Sequence, residues 1–301
     1  MDQILDQVEA DRLDYFFHSL YKAQAPLLLL DYDGTLADFR IDRFTARPWA
    51  GVREVLNEIQ RDKRTQLRVI TGRPGAEINP LLQLDSPVEV WGLHGAERLH
   101  VDGRRELEPA PLEALEKLDE LREQLRRNTF GGLFEDKSNA AVMHWRGHSP
   151  QRAKLIEQKT RAVFEPAAQV AGLSLLPFES GIELRVGRDK GGAVEAIVEQ
   201  AEPGTPVVFL GDDLTDESAF RTVNAMGNPH LSVLVRKARR ATAAEVWLHP
   251  PEGLRWFLRQ WENGVRGLPV KRLQAAAYDA PETGRNSFTA DSSGFTQEDA
   301  H

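Results

Sequence analysis

Cysteine is absent from this sequence of 301 residues. Its absence excludes disulfide bonds, thiolate nucleophiles and zinc sites with Cys ligands. Basic residues are outnumbered, because 38 Lys and Arg stand against 46 Asp and Glu, and the formal net charge is -8. A general nucleic-acid binder needs a basic face that displaces phosphate counterions, so we expect no nucleic-acid partner.

Long hydrophobic runs are absent as well. The longest apolar stretch covers residues 25–30, whereas a helix needs ~18 apolar residues to span a bilayer. The chain opens with Met1-Asp2-Gln3 and lacks the basic segment of a secretory signal. We therefore expect a cytoplasmic protein without a membrane partner. Hydrophobic residues make up 41% of the chain and charged residues 28%, which is typical of a globular fold.

Short apolar runs that end in turn residues alternate with helical segments along much of the chain. Leu27–Leu30 has no polar interruption, which is typical of a strand buried on both faces of a parallel sheet. The alternation predicts βαβ units and an α/β fold with a Rossmann-like doubly wound parallel sheet. The predicted strands cover residues 27–30, 67–70, 88–91, 207–210, 232–235 and 245–248.

Residues 110–185 break this alternation. Two charged segments there have helical spacing, and three others are typical of strands, so we predict an inserted α+β domain. One of these strands, at residues 140–145, alternates as if one of its faces were exposed. The inserted domain is expected to act as a cap that supplies specificity and excludes water.

The remaining segments complete the predicted domain organisation. Residues 1–25 form a helix that packs on the core, and the core itself consists of residues 26–109 and 186–270. Residues 275–301 are rich in Ser, Thr, Gly, Asp and Glu and contain few apolar side chains. Such a composition cannot bury enough surface to fold, so we predict a disordered tail.

Polar side chains cluster at the ends of the predicted strands, where open parallel sheets bind their ligands. Asp31 and Asp33 are two residues apart, so their side chains leave an extended backbone on the same side. Crowded carboxylates repel one another, and oxygen ligands of this kind suit Mg²⁺ together with a phosphate group. The residues in question are Asp31, Asp33, Thr71, Asp212, Asp213 and Asp216, with Lys190 just before a helix.

Each of these motifs has an ordinary structural interpretation when it is taken alone. An Asp-x-Asp-Gly-Thr string can be a turn, and the acids after Gly211 can cap a helix. Thr71-Gly72-Arg73-Pro74 can be a turn at a strand end, and Lys190 can be a solvated lysine. Their joint occurrence in this order favours a phosphoryl-binding site.

The ordered set resembles the haloacid-dehalogenase-like phosphatase superfamily, whose core is the fold predicted above. The motifs that carry the resemblance are Asp31-Tyr32-Asp33-Gly34-Thr35, Thr71-Gly72-Arg73, Lys190 and Gly211-Asp212-Asp213. The resemblance implies that Asp31 is a nucleophile that forms an aspartyl-phosphate, and that Asp33 is the general acid and base. It implies that Thr71 and Lys190 bind the phosphoryl oxygens. It also implies that Asp31, Asp212 and the carbonyl of Asp33 bind Mg²⁺, with Asp213 or Asp216 completing the ligand set.

Further motifs make the chain similar to the trehalose-6-phosphate phosphatases within that superfamily. They are Gly92-Leu93-His94-Gly95, Glu135-Asp136-Lys137, His144-Trp145-Arg146 and Glu183. The similarity implies that Glu135, Lys137 and Glu183 bind the distal glucose, with Arg146 nearby and Arg73 and His94 at the rim of the core. Two departures are Trp145, where Tyr is commoner, and Gly187-Arg188-Asp189, where an approach containing Pro is more usual.

The expected activity is therefore Mg²⁺-dependent hydrolysis of trehalose 6-phosphate to trehalose and phosphate. About 25 residues precede the first predicted strand, so a synthase that made this substrate would be a separate chain. We expect a monomer or a weak dimer.

Three alternatives remain open at this point. The first is a phosphatase for a related substrate such as sucrose 6-phosphate or glucosyl- or mannosyl-3-phosphoglycerate, and Glu135, Lys137 and Glu183 are the discriminating residues. The second is a signalling receiver module, which Asp33 and the cap argue against. The third is a carbohydrate-binding or scaffold protein without catalysis, which would not need the four residues Asp31, Asp33, Asp212 and Lys190 together.

Overall fold

The computed structural model describes residues 6–40, 42–128, 130–137, 139–178 and 180–271. The tail predicted for residues 275–301 lies outside the described residues, as do the first five residues of the predicted N-terminal segment. Among the described residues, no helix combines the length and the apolar character that crossing a membrane requires.

The described residues form twelve strands and eight α-helices. The strands are β1 (Leu27–Leu30), β2 (Gln66–Ile70), β3 (Glu89–Gly92), β4 (Glu97–Leu99), β5 (Arg105–Leu107), β6 (Leu133–Lys137), β7 (Ala140–His144), β8 (Leu173–Phe178), β9 (Gly181–Val186), β10 (Val207–Gly211), β11 (Leu231–Val235) and β12 (Val246–Leu248). The helices are α1 (Gln7–Leu20), α2 (Val52–Asp62), α3 (Ile78–Leu82), α4 (Leu112–Arg127), α5 (Pro150–Ala167), α6 (Lys190–Val198), α7 (Glu217–Ala225) and α8 (Glu252–Arg266).

The larger sheet has eight strands in the order β12-β11-β10-β1-β2-β3-β4-β5. Its first six strands pair in parallel, as predicted. β4 and β5 are antiparallel and were not predicted, so the sheet is mixed at one edge. The reason is the length of the connections, because only residues 93–96 join β3 to β4 and a parallel crossover needs about a dozen residues or more.

Helices cover both faces of this sheet, which confirms the α/β fold. All four residues of β1 are completely buried. Leu28 and Leu30 pack in a core with α1, α2 and α8, whereas Leu27 and Leu29 pack on the other face with α6 and α7. The unbroken leucine run is therefore explained by burial on both sides.

The second sheet has four antiparallel strands in the order β6-β7-β9-β8. Helices α4 and α5 pack on one of its faces around Ala141 and Met143 of β7. The prediction of an exposed face for residues 140–145 is wrong, because Ala140 and Val142 on the opposite face are also completely buried. That opposite face borders a cavity shared with the larger sheet.

The core of the second sheet provides a test of how this part of the chain is stabilised. Phe164 of α5 is completely buried in it, whereas Leu155 of the same helix is exposed. We expect Phe164→Ala to lower the free energy of unfolding by ~3–5 kcal/mol, because the truncation leaves a cavity. Leu155→Ala is the matched control and should cost less than about 1 kcal/mol. Urea denaturation measures both, and equal losses would contradict this packing.

Candidate active site

Parallel pairing brings distant residues to one edge of the larger sheet. β1 lies between β10 and β2, and Leu30 is in register with Leu210 on one side and Val69 on the other. The residues that follow these three positions therefore lie side by side at the carboxyl ends of the strands. This is the location at which open α/β sheets bind ligands.

Three buried carboxylates meet at this edge. Asp31, Asp212 and Asp216 each offer an oxygen within 4.8 Å of the others. The ammonium group of Lys190, the first residue of α6, lies 2.7 Å from Asp31 Oδ1 and 2.6 Å from Asp216 Oδ1. One buried cation thus contacts two of the three acids.

The electrostatics of the cluster follow from its burial. Burial raises the pKa of Asp31 to about 7, with Lys190 opposing the rise and Asp216 adding to it. Burial and the neighbouring carboxylates likewise raise the pKa of Asp212 well above its ordinary value. Burial disfavours the charged form of Lys190, but Asp216 and Asp31 outweigh it and raise the pKa of this side chain.

Asp216 and Asp212 have different surroundings within the cluster. Asp216 Oδ2 accepts hydrogen bonds from the backbone N–H groups of Asp212 and Asp213, both at 2.9 Å, and Oδ1 accepts from Lys190. Asp212 Oδ1, by contrast, is buried and has no hydrogen-bond partner among the described residues. A buried carboxyl oxygen without a donor can bind a hard cation in place of its proton, so the residues present fit Mg²⁺.

Gly34 allows β1 and the loop after β10 to approach this closely. Its φ is +84°, and a Cβ atom at this position would lie 2.1 Å from Asp212 Oδ2. Any other residue would therefore displace the Asp212 carboxylate, which explains the glycine four residues after the end of β1.

Asp33 is held by Arg73. The guanidinium group donates from Nε and Nη2 to the two oxygens of Asp33, both at 2.6 Å, and from Nη1 to the carbonyl of Arg43 at 2.7 Å. Arg73 also lies over the ring of Tyr32, 5.6 Å from its centroid. With 7% of its surface exposed, Arg73 is buried beside Asp33 rather than at the rim where it was expected.

A cavity of about 700 Å³ joins this edge to the second sheet. The larger sheet contributes acidic and phosphate-binding candidates, and the second sheet contributes side chains from the face of β6, β7, β8 and β9 that points away from α4 and α5. The predicted residues that line the cavity are Asp31, Asp33, Thr71, Arg73, His94, Lys137, Arg146, Glu183, Lys190, Asp212 and Asp213.

Two predicted residues do not line the cavity. Asp216 lies beneath it and holds the loop after β10. Glu135 contacts His144 Nε2 at 2.8 Å, and it is His144 that lines the cavity. The residues predicted to bind sugar include one direct pair, because Lys137 Nζ lies 2.8 Å from Glu183 Oε2.

His94 has a strained backbone that places its ring against the strand-end loop of β2. Its φ is +58° and its ψ is +22°, which lies in the left-handed region that few non-glycine residues adopt. A Cβ atom on Gly72 would lie 2.7 Å from Nε2 of this ring. Burial, followed by the charges of Arg185, Lys190 and Lys137, lowers the pKa of His94 well below its usual value, so the imidazole is neutral at pH 7.

Several cavity residues were missed from the sequence. His144 was noted only as part of a motif, and Arg236 and Lys237 lie in the loop after β11, for which no role was predicted. Arg185 does not line the cavity but lies beside Glu183, and it was missed although strand alternation places it on the same face, two residues away. That alternation is the signal that could have identified it.

Comparison with known proteins identifies the family of this chain. The family model described as trehalose-phosphatase matches residues 29–250. The chain belongs to the trehalose-phosphatase family. A trehalose-phosphate phosphatase of Mycobacterium marinum is 30% identical over 241 residues, which are 75% of this chain and 58% of that protein. A trehalose-phosphate phosphatase of Mycobacterium tuberculosis is 28% identical over 261 residues, 83% of this chain and 64% of that protein. The chain therefore spans about three fifths of these relatives.

Solved structures share the fold of this trehalose-phosphatase family member. The trehalose-6-phosphate phosphatase of Aspergillus fumigatus superposes with a TM-score of 0.66 at 23% identity, covering 83% of this chain and 97% of that one. A trehalose-6-phosphate phosphatase related protein superposes with a TM-score of 0.55 at 25% identity, covering 80% of this chain and 99% of that one.

The raised pKa of Asp31 predicts how stability depends on pH and Mg²⁺. Its folded value of about 7 exceeds the ordinary 3.8, so without a cation its stabilising contribution is complete below pH 4 and is lost as pH rises through 7. Mg²⁺ competes with the proton on the Asp31 carboxyl group. It should therefore raise the thermal midpoint of unfolding by several degrees at pH 8 and by less at pH 5.5. Scanning fluorimetry with and without MgCl₂ measures this increment. Asp212→Asn is the comparison variant and should reduce it, whereas an equal increment at both pH values would contradict the assignment.

Proposed function

We propose that this protein is a Mg²⁺-dependent phosphatase that hydrolyses trehalose 6-phosphate to trehalose and phosphate. The observation that carries the proposal is a single cavity that joins the buried Asp31–Lys190 cluster to the Lys137–Glu183 pair. The cluster suits a phosphoryl group, and the pair suits the hydroxyl groups of a sugar. Membership of the trehalose-phosphatase family supports both halves of the proposal.

Mg²⁺ would be held by Asp31, by Asp212 and by the main-chain carbonyl of Asp33. Both oxygens of Asp216 already accept hydrogen bonds from Lys190 and two backbone amides, which favours Asp213 over Asp216 for completing the ligand set. When bound, the cation supplies positive charge at the phosphoryl oxygens and offsets repulsion between the substrate and the carboxylates.

Asp31 attacks the phosphorus atom, the bond from phosphorus to the sugar oxygen breaks, and an aspartyl-phosphate forms. Asp33 gives its proton to the departing sugar oxygen and then takes a proton from the water that hydrolyses the intermediate. Arg73 donates to both oxygens of Asp33, so before it can act as the acid Asp33 must release one of these hydrogen bonds and take up a proton from the solvent at the freed oxygen. Lys190 and Thr71 bind the phosphoryl oxygens and hold them in line for attack.

Residues 110–185 act as the cap in this proposal, and residues 26–109 and 186–270 form the catalytic core. Lys137 and Glu183 bind hydroxyl groups of the distal glucose, and Glu135 assists through His144, which it contacts. Arg146 and His94 border the same cavity and complete the sugar site. Closure of the second sheet over the substrate excludes water from the reacting groups. A cytoplasmic location and a separate synthase chain stay predictions from the sequence.

A panel of sugar phosphates tests the substrate. We expect trehalose 6-phosphate to have the highest kcat/KM in a phosphate-release assay with Mg²⁺, because the cavity carries a carboxylate and an ammonium group that can bracket sugar hydroxyls. The panel includes sucrose 6-phosphate and glucosyl- and mannosyl-3-phosphoglycerate. A tenfold advantage for another member, about 1.4 kcal/mol of transition-state discrimination, would overturn this substrate assignment.

Substitution of the nucleophile tests the mechanism. We expect Asp31→Asn to abolish turnover, because an amide cannot form the acyl-phosphate, while the protein stays folded. Asp102→Asn in the exposed turn between β4 and β5 is the matched control and should retain wild-type kcat. Phosphate release and circular dichroism provide the readouts. Turnover by Asp31→Asn above a hundredth of the wild-type rate would rule out Asp31 as the nucleophile.

A further inference from the structure

Arg185 is a buried charge that the mechanism above does not use. Only 2% of its surface is exposed. It lies in β9 two residues after Glu183, so both side chains are on the face of the second sheet that borders the cavity. A guanidinium group removed from water is costly unless a partner or a ligand compensates it.

The contacts of Arg185 are few. Nη1 lies 3.6 Å from Glu183 Oε1, and this is its one ion pair among the described residues. Nε and Nη2 are buried and have no hydrogen-bond partner in the same part of the chain. Glu183 carries the carboxylate closest to the guanidinium group, and the charges of Asp189 and Glu108 act on it from beyond ion-pair distance.

Glu183 therefore lies between two cations of different mobility. Lys137 contacts Oε2 at 2.8 Å, but it is on the edge strand β6 and 42% of its side chain is exposed. Arg185 faces Oε1 from β9, which has a strand on each side. A sugar hydroxyl that enters the site must compete with Lys137 for Oε2, whereas Arg185 keeps its place on the other oxygen.

We propose that Arg185 is a positioning residue that holds the Glu183 carboxylate in the orientation that binds the sugar. Its charge also offsets the repulsion between Glu183 and an anionic substrate. The proposal rests on the proposed function, because it takes the ligand of the cavity to be a phosphorylated sugar. It assigns Arg185 to sugar recognition and not to the phosphoryl chemistry.

Two substrates separate these roles. Trehalose 6-phosphate uses both ends of the cavity, whereas p-nitrophenyl phosphate has no sugar for Glu183 to bind. We expect Arg185→Met to raise KM for trehalose 6-phosphate about tenfold with a change in kcat below about threefold. The ratio of kcat/KM for trehalose 6-phosphate to kcat/KM for p-nitrophenyl phosphate should fall by a similar factor.

Arg185→Lys keeps the charge and should restore most of this ratio. Arg188→Met removes a neighbouring arginine that pairs with Glu108 outside the cavity, and it should leave the ratio at the wild-type value.

A double-mutant comparison tests whether Arg185 acts through Glu183. In a Glu183→Gln background, Arg185→Met should raise KM no further, because the carboxylate it positions is gone. Additive effects, or equal losses for both substrates, would overturn the proposal. If Arg185→Met does not fold, Arg185→Gln replaces it in both backgrounds, because this polar side chain also removes the charge.

The two proposals fail in distinguishable ways. If wild-type protein prefers another sugar phosphate, the proposed substrate is wrong, and the Arg185 variants are then measured on the preferred one. If the wild type prefers trehalose 6-phosphate but Arg185→Met leaves the ratio unchanged, only the positioning role is wrong. If no sugar phosphate is preferred to p-nitrophenyl phosphate, both are wrong.

Discussion

The ammonium group of Lys190 is the contact on which the candidate active site depends. Three buried carboxylates lie within 4.8 Å of one another, and their desolvation and mutual repulsion oppose folding unless a cation compensates them. Lys190 contacts Asp31 and Asp216 together and so ties the end of β1 to the loop after β10. Asp212 is the acid of the three that Lys190 does not contact, and its Oδ1 has no hydrogen-bond partner among the described residues.

Parallel strand pairing allows the Lys190 side chain to contact both Asp31 after β1 and Asp216 after β10. Asp31 and Lys190 are 159 positions apart in the chain, and much of the intervening sequence forms the second sheet with its two helices. The register of β1 with β10 and β2 fixes the separation of their ends, while the second sheet carries its own core. The buried acids and the Lys137–Glu183 pair are thus carried by two separate sheets that meet at one cavity.

The sequence predicts the parts of this structure that follow from the spacing of apolar residues and from the order of the motifs along the chain. An unbroken leucine run, strand-end acids and a lysine before a helix predict the parallel sheet and the grouping of Asp31 with Asp212. The antiparallel edge strands β4 and β5 were not predicted, because they have three residues each and no distinctive pattern. Two contacts depend on side-chain geometry, which the spacing of residues does not encode. They are the paired hydrogen bonds from Arg73 to Asp33 and the ion pair of Arg185 with Glu183. The exposed face predicted for β7 was wrong. Ala140 and Val142 on that face are buried, and Val142 borders the cavity shared with the larger sheet, whose residues are distant in the sequence.

The position of Lys137 on β6 has an evolutionary consequence. This strand is hydrogen-bonded on one side only, so substitutions along it disturb neither the pairing of the central strands nor the buried cluster beneath β1 and β10. Selection can therefore change this part of the cavity wall while Asp31, Asp212, Asp216 and Lys190 stay as they are. A lineage built on this scaffold can vary one wall of the cavity without rebuilding the group of buried acids.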